Sequence, residues 1–340
     1  RKSKPDFAIE AAVVSKAMDG KPVKLTWTRE DDLVNNYFHT VSVEHLGAGL
    51  DAQNKPVAWL HRSVAPTIFS TFVEGAKKEA DLELAMGLIN VPFDIKSIRI
   101  ENPEAVAHTR IGWFRSVSNI PHAFAVQSFV AELAAAAGRD PKDYLLEVIG
   151  PPRRISPEQL SDKWNHGENP ELYPVDTGRL RRVVETVARE AGWGRQMPKG
   201  RGLGIAAHYS FVSYVASVVE VEVDSQGVIT VPRIDIAIDC GATVNPDRVR
   251  AQMQGAAIMG LGIATLGEMT FKGGKAEQEN FQQYEVTRMS GAPRETRVYI
   301  IPGDYAQPMG GVGEPGVPPI PPALCNAIFA ATGKRIRTLP

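Results

Sequence analysis

Cysteine is scarce in this sequence: among 340 residues only Cys240 and Cys325 occur, far apart and in no metal-binding spacing. We therefore expect neither a disulfide framework nor an iron–sulfur cluster held by cysteines of this chain. An excess of charge is also lacking, since the formal net charge is −1. This balance argues against a nucleic-acid partner bound through a basic surface. No apolar run approaches the roughly 18 residues of a membrane span.

The composition is that of a globular chain with a substantial core, with 43% hydrophobic and 23% charged residues. Its length suits one large domain or two ordinary ones. Apolar residues at helical spacing predict helices over 7–18, from 119 to the stop at Gly138, and over 139–149, 177–193, 247–262 and 321–332. Alternation predicts strands over 21–28, 40–50, 57–65, 203–207, 212–223 and 228–238, with a capping turn at 28–31. The polar, proline-rich residues 151–174 are the best candidate for a linker.

The most unusual stretch is residues 310–319, which read GGVGEPGVPP and hold one acid, Glu314. Glycine permits close backbone approach and proline fixes φ, so the loop should be stiff and bare. A short buried helix is expected directly after it, with prolines in its first turn and Gly333 at its end. A lone carboxylate held before a helix N-terminus suits a general base. An ordinary solvated turn is the alternative, and from the spacing alone it is the more common outcome.

The motif Gly-Val-Gly-Glu-Pro-Gly followed by an alanine-rich helix resembles the C-terminal signature of the xanthine oxidase family of molybdenum hydroxylases. Within that family the chain resembles the large, or beta, subunit of isoquinoline 1-oxidoreductase and similar bacterial aldehyde dehydrogenases. The resemblance covers residues 1–66, 105–150 and 203–340. It implies an α+β fold, the molybdopterin-binding domain, with mixed sheets and packed helices. It also implies that Glu314 is the catalytic base.

A second candidate loop, residues 111–119, reads IGWFRSVSN and runs into a predicted helix. An arginine at such a place suits an anion, through its planar fork and the free backbone N–H groups, although a surface ion pair is more common. The resemblance implies that Arg115 and Ser116 bind the cofactor and that Trp113 and Val117 line the substrate pocket. Val117 stands where xanthine oxidases proper place a phenylalanine, which favours the isoquinoline-type branch over a purine substrate.

The predicted helix over 247–262 contains QMQGAAIMGLG, whose small residues let a ligand or another helix approach closely, and the pattern favours neither. In the family, a glutamine at the position of Gln252 contacts the pterin, so the resemblance implies the same role here. Met259 replaces a second family glutamine. Gly313, directly before the glutamate, is expected to contact the cofactor as well. No residue of the chain is expected to bind a metal itself.

The resemblance further implies a molybdenum–molybdopterin cofactor, in its cytosine dinucleotide form, and oxidation of an aldehyde or an aromatic N-heterocycle with water-derived oxygen. Electrons would pass to a small [2Fe–2S] subunit, with a cytochrome c as a further acceptor. The location implied is the bacterial periplasm or the periplasmic side of a membrane. The competing hypothesis is a catalytically silent half-subunit that serves assembly.

The sequence begins at Arg1, without an initiator methionine or a signal peptide. In the family, a basic residue follows a glycine-rich Phe-Gly loop near the middle of the large subunit, and Arg1 resembles it. The N-terminal half of the same subunit is therefore an expected partner, and a truncated chain is the alternative. We expect a first cofactor-binding lobe over 1–150, a linker and helix over 151–200, and a second lobe over 201–340.

Overall fold

The computed structural model describes residues 4–107 and 109–340. Their α-helices are α1 (Asp6–Ala17), α2 (Arg29–Asn35), α3 (Asp81–Leu84), α4 (Asn119–Ala136), α5 (Pro141–Ile149), α6 (Thr177–Ala191), α7 (Pro246–Thr265) and α8 (Ile320–Thr332). Their strands are β1 (Val43–Leu50), β2 (Pro56–Val64), β3 (Ser97–Glu101), β4 (Arg154–Ile155), β5 (Val175–Asp176), β6 (Arg201–Ser210), β7 (Ser213–Val223), β8 (Ile229–Asp239), β9 (Phe271–Lys272), β10 (Lys275–Ala276) and β11 (Glu295–Ile300).

A four-stranded sheet of order β11-β8-β7-β6 forms the centre of the fold, with β11 parallel to β8 and the other pairs antiparallel. Successive residues of β7 enter different cores. Val215 and Val219 pack in the cluster shared with α7 and α8, whereas Tyr214 and Ala216 pack in the cluster shared with α4, α5 and α6. Because both faces of the sheet are covered at β7, residues 214–219 of that strand are buried and, apart from Ser217, lack charged or small polar side chains.

A three-stranded sheet of order β1-β2-β3 adjoins α4, and Trp59 on β2 packs edge-on against Phe93 and against Phe129 of α4. Among the described residues, no single helix is long and apolar enough to cross a membrane. One pair, α4 and α5, meets the length and composition requirement only when taken together across a bend of 115°.

The predicted helices are all present, with bounds shifted by a few residues, and so are the hairpin β1–β2 and the strands β6, β7 and β8. Local signals placed them well: Asn245 caps α7 ahead of Pro246, and Gly333 ends α8 at a φ of 73°. Thr28 and Asp31 form the expected capping box.

The strand predicted over 21–28 is wrong, because these residues pair with no strand in the part of the chain that the structure describes. The indole of Trp27 instead donates to Glu10 on α1, at 2.8 Å, so this side chain contacts a helix. The candidate linker is irregular, but β4 pairs with β5 and Ile155 lies in the main core. The three-part division of the chain stays a prediction, and Arg1 lies outside the described residues.

The packing of α8 on β6 depends on Gly204. A Cβ there would lie 2.1 Å from the Ala323 carbonyl oxygen and 2.2 Å from the Ala327 nitrogen, both backbone atoms that cannot move alone. We expect Gly204→Ala to lower the free energy of unfolding by about 1–3 kcal/mol or more. Gly47→Ala on β1 is the matched control, since its Cβ would meet only Leu60 Cβ, at 4.0 Å. Equal urea midpoints for the two variants would contradict this packing account.

Because several histidines are buried, we expect the free energy of unfolding to depend on pH and to be largest at one intermediate pH. Burial opposes the charge of His122, but the hydrogen bond and charge of Glu79 and the charge of Glu44 raise its pKa to about 9. Burial lowers the pKa of His39 to about 4, and of His166 and His208 to about 3. The His122 contribution is complete below pH 6.5 and is lost as pH rises toward 9. The contributions of His39, His166 and His208 are complete above pH 6.5 and are lost as pH falls toward 4 for His39 and toward 3 for the other two.

We therefore expect the melting temperature to be highest near pH 6.5 and to fall on either side of it. Scanning calorimetry from acid to alkaline pH measures this directly. His122→Gln should abolish the fall between pH 6.5 and 9 while leaving the acid side in place. An alkaline fall of the same size in that variant would show that His122 does not cause it.

Candidate active site

The glycine loop, residues 310–316, is fixed on its N-terminal side by the ends of three strands. The Gly310 amide donates to the Cys240 carbonyl, and the Gly311 amide donates to the Phe211 carbonyl, both at 2.8 Å. The Ser213 hydroxyl donates to the Gly311 carbonyl at 2.7 Å. A Cβ at Gly310 would lie 2.4 Å from the Val212 carbonyl oxygen, so only glycine fits this closely against the β6–β7 turn.

On its C-terminal side the loop is fixed by helix packing. A Cβ at Gly316 would lie 2.8 Å from Ala256 Cβ and 2.9 Å from Met253 Sδ, so the loop backbone touches α7 directly. Val317 is buried against Ala256 and Ile120, and α8 begins three residues later. The loop therefore has little freedom, and Glu314 lies between its two anchors.

The Glu314 side chain is half-buried and meets the Arg115 loop. The Ser116 amide donates to Glu314 Oε2, and the Ser116 hydroxyl donates to the Glu314 carbonyl oxygen, both at 2.7 Å. Ser116 and Val117 have positive φ angles, 78° and 50°, and both are buried. Such angles are uncommon outside glycine, and they persist only where the surrounding structure enforces them. Here they aim the Ser116 N–H at the carboxylate.

Arg115 joins this loop to α7. Its Nε donates to the Gly313 carbonyl at 2.7 Å, and its Nη2 donates to the backbone oxygen and Oε1 of Gln252, at 3.2 and 3.0 Å. Partial burial lowers the pKa of the Arg115 guanidinium, and the Glu314 charge opposes that shift. The surface-ion-pair alternative for Arg115 thus does not describe its contacts, which go to two carbonyls and one amide.

An open shelf lies beside these contacts, formed by Arg115, Gln252, Gly255 and Gly313. Gly255 and Gly313 are exposed, and a Cβ at Gly313 would meet none of the described residues within 4 Å. A Cβ at Gly255 would lie 3.9 Å from Arg115 Nη1. A cationic fork, a carboxamide and bare backbone suit a flat, polar, anionic group. In the part of the chain that the structure describes, no three His, Cys, Asp or Glu residues could hold a metal ion.

The chain shares sequence with known proteins over its whole length. A sequence profile described as the molybdopterin cofactor-binding domain matches residues 176–293. The chain is 31% identical, over its full length, to a membrane-bound aldehyde dehydrogenase [pyrroloquinoline-quinone] of Gluconacetobacter polyoxogenes. It is 28% identical, again over its full length, to isoquinoline 1-oxidoreductase subunit beta of Brevundimonas diminuta. The chain belongs to the xanthine oxidase family of molybdenum hydroxylases.

The solved structures show the same fold. Quinoline 2-oxidoreductase from Pseudomonas putida 86 superposes with a TM-score of 0.75 at 12% identity, over 94% of this chain and 63% of its own. An aldehyde oxidoreductase from Desulfovibrio gigas gives 0.74 at 15% identity, over 97% and 51%. The α+β fold class is thus confirmed. The chain spans 44% and 41% of the lengths of the aldehyde dehydrogenase and the isoquinoline 1-oxidoreductase subunit.

The structure brings five of the seven predicted site residues of this family member into contact: Arg115, Ser116, Gln252, Gly313 and Glu314. The two residues predicted to line the substrate pocket lie differently. Trp113 is 46% exposed, with its ring 5.4 Å from that of Phe72. Val117 is 5% exposed and packs with Ile68, Met86 and Ile111. The roles of all seven stay predictions.

Sequence patterns did not indicate the residues that support the glycine loop and the Arg115 loop, chiefly the Phe211–Val212 turn and Asn119. Phe211 and Val212 both have a φ of 52°, although their side chains give no sign of a left-handed turn. Asn119 stands before an apolar run, where asparagine normally indicates a helix start. No pattern of spacing would have separated these residues from ordinary turn and cap residues.

Proposed function

We propose that this chain is the part of a molybdenum hydroxylase large subunit that supplies the catalytic base, oxidising an aldehyde or an aromatic N-heterocycle. One observation carries the proposal: the Glu314 carboxylate is fixed by the Ser116 N–H at 2.7 Å, beside the shelf that Arg115 and Gln252 form. The names of the relatives, which act on aldehydes, isoquinoline and nicotinate, support this substrate class.

The shelf fits a molybdenum–pterin cofactor by the chemistry of its groups. Gln252 Oε1 accepts from Arg115, so the amide nitrogen can donate to a bound group, and no acceptor for it is found within residues 4–107 and 109–340. The Arg115 guanidinium can neutralise an anionic group there, and exposed Gly313 lets that group lie against the backbone. A cytosine dinucleotide form of the cofactor is the version we propose.

When bound, such a cofactor supplies the two-electron oxidation and delivers the water-derived oxygen to the substrate. The chain's own groups handle the proton. Glu314 Oε2 is engaged by the Ser116 N–H, which orients the carboxylate and leaves Oε1 to accept the proton as general base. Arg115 holds the Gly313 carbonyl, directly before Glu314, so the base keeps its place relative to the shelf.

We further propose three partners for the catalytic complex. The N-terminal half of the same large subunit would cover the shelf, because relatives that match over the whole chain are more than twice as long. A small [2Fe–2S] subunit would take the electrons, and a cytochrome c would receive them next. The subunit designations of two relatives support a multi-subunit enzyme, and the membrane-bound name of another supports a place at a membrane. Of the two sides of that membrane, the periplasmic one is the side we propose.

Metal analysis tests this assignment. We expect residues 1–340, purified alone, to hold no stoichiometric molybdenum, because the described contacts form only one open side of a cofactor site. The full complex should contain molybdenum and should turn over at least one aldehyde or N-heterocycle. Stoichiometric molybdenum in the isolated chain would contradict the first expectation. A metallated complex that is inert to every compound of both classes would favour the silent assembly module.

A further inference from the structure

Asn119, the first residue of α4, is fully buried and connects the Arg115 loop to β6. Its Nδ2 donates to the Ser116 carbonyl at 3.0 Å, and its backbone N–H donates to the same oxygen at 3.1 Å. Its Oδ1 lies 2.8 Å from His208 Nε2. Because the amide nitrogen already faces a carbonyl, the side-chain oxygen must be the group that faces the histidine.

His208 is held so that it can serve only as a donor to Asn119. Its ring lies against Gly87, which has a φ of 98° and where a Cβ would lie 2.6 Å from the ring carbon Cε1. Burial lowers the pKa of His208 to about 3, so the ring is neutral at ordinary pH. A neutral imidazole carries its proton on one nitrogen. The Asn119 contact requires that proton to be on Nε2.

These contacts bear on the two peptide groups that flank Ser116: the first supplies the N–H for Glu314, and the second supplies the carbonyl for Asn119. The Ser116 carbonyl follows the Ser116 N–H in the chain, and the left-handed angles of Ser116 and Val117 fix the direction of both. A non-glycine turn of this kind relaxes when the groups that enforce it are removed. Asn119 binds the carbonyl end of Ser116, so it restrains the direction in which the Ser116 N–H points.

We propose that Asn119 and His208 are positioning residues for the Glu314 carboxylate, acting through the Ser116 turn. His208 orients the Asn119 amide, Asn119 fixes the Ser116 carbonyl, and the Ser116 N–H then fixes Glu314 Oε2. The geometric part stands on its own, whereas the effect on rate depends on the proposed role of Glu314 as base.

The test uses the full metallated complex and two readouts. The first is hydrogen exchange of the Ser116 amide, resolved by electron-transfer fragmentation. For Asn119→Ala we expect this amide to exchange about threefold to tenfold faster, the effect of weakening one hydrogen bond. The second is the rate of substrate reduction, which should fall roughly threefold to tenfold with little change in KM, since the base is misplaced and substrate binding is not. In a Glu314→Gln background the same substitution should have no further effect on rate.

His208 supplies a conservative pair in case Asn119→Ala folds poorly. His208→Gln keeps an N–H donor for Asn119 and should behave as wild type, whereas His208→Leu removes the donor and should behave like Asn119→Ala. Asn326→Ala is the control for loss of a buried asparagine, since Asn326 on α8 donates to the Ile205 carbonyl of β6 at 3.2 Å. It should leave exchange at Ser116 unchanged.

The outcomes separate the two proposals. Unchanged exchange at Ser116 in both Asn119→Ala and His208→Leu would overturn the positioning role. A rate loss that multiplies with that of Glu314→Gln would overturn it as well, because it would reflect general damage to the fold. Faster exchange at Ser116 together with full activity of Glu314→Gln would support the geometric restraint and reject Glu314 as the base.

Discussion

Replacing Glu314 by glutamine is expected to lower kcat/KM by about 100-fold to 10,000-fold, the usual effect of removing a general base. Glutamine has the same shape and can still accept the Ser116 N–H through its carbonyl oxygen, so the loop should keep its structure. It cannot accept a proton at the position of Oε1. Molybdenum content and melting temperature should therefore stay near those of the wild type while activity is lost.

Glu185→Gln is the matched control for this substitution. Glu185 is on α6, pairs with Arg181 at 3.5 Å and has 54% of its side chain exposed. It therefore carries the same carboxylate as Glu314 but lies outside the glycine loop. Exposed pairs of this kind contribute little, and its kinetics should match the wild type. If both variants lost activity equally, the loss in Glu314→Gln could not be assigned to the glycine loop.

Arg115→Lys is expected to lower kcat/KM by at least about tenfold, or about 1.4 kcal/mol in barrier. The arginine uses two nitrogens of its planar fork to bridge Gly313 and Gln252, and a lysine ammonium is one point that cannot reach both in the same way. Steady-state kinetics at matched molybdenum content measures the effect.

Arg189→Lys supplies the comparison for Arg115→Lys, because Arg189 is exposed on α6 and pairs with neighbouring Glu190 at 2.8 Å. The steady-state kinetics of Arg189→Lys should match those of the wild type. Kinetics of Arg115→Lys equal to those of this control would return Arg115 to the role of a surface charge, and would remove the shelf from the proposed function.

Local sequence signals placed most elements because their causes lie within a few residues. Asn245 with Pro246 begins α7, and Gly333 ends α8, because these residue types cap helices through contacts with residues close to them in the chain. The parallel strands β3 and β11 were missed because their partners, β2 and β8, are remote in the chain. The false strand over 21–28 had the right alternation but pairs with no strand among the described residues, and alternation alone does not show whether a neighbouring strand exists.

The candidate site shows the same difference between local signals and contacts made by remote residues. Spacing alone marked Glu314 and Arg115 as unusual, but it favoured a solvated turn for the first and an ion pair for the second. The resemblance to a family, rather than the spacing, brought them together with Gln252. The contact between Ser116 and Glu314 joins residues 198 positions apart. It depends on left-handed backbone angles at Ser116 and Val117, which the identities of these residues do not indicate. Only the folded chain shows that geometry.

Whether Glu314 takes the proton during substrate oxidation can be measured in the reductive half-reaction alone. Fully metallated wild type and Glu314→Gln are mixed anaerobically with substrate, and reduction of the molybdenum centre is followed by stopped flow. We expect reduction to be slower in the variant by about 100-fold to 10,000-fold, because the general base is missing. Reoxidation of the reduced centre by an acceptor should proceed at the wild-type rate. A variant that is reduced by substrate as fast as the wild type would contradict the account.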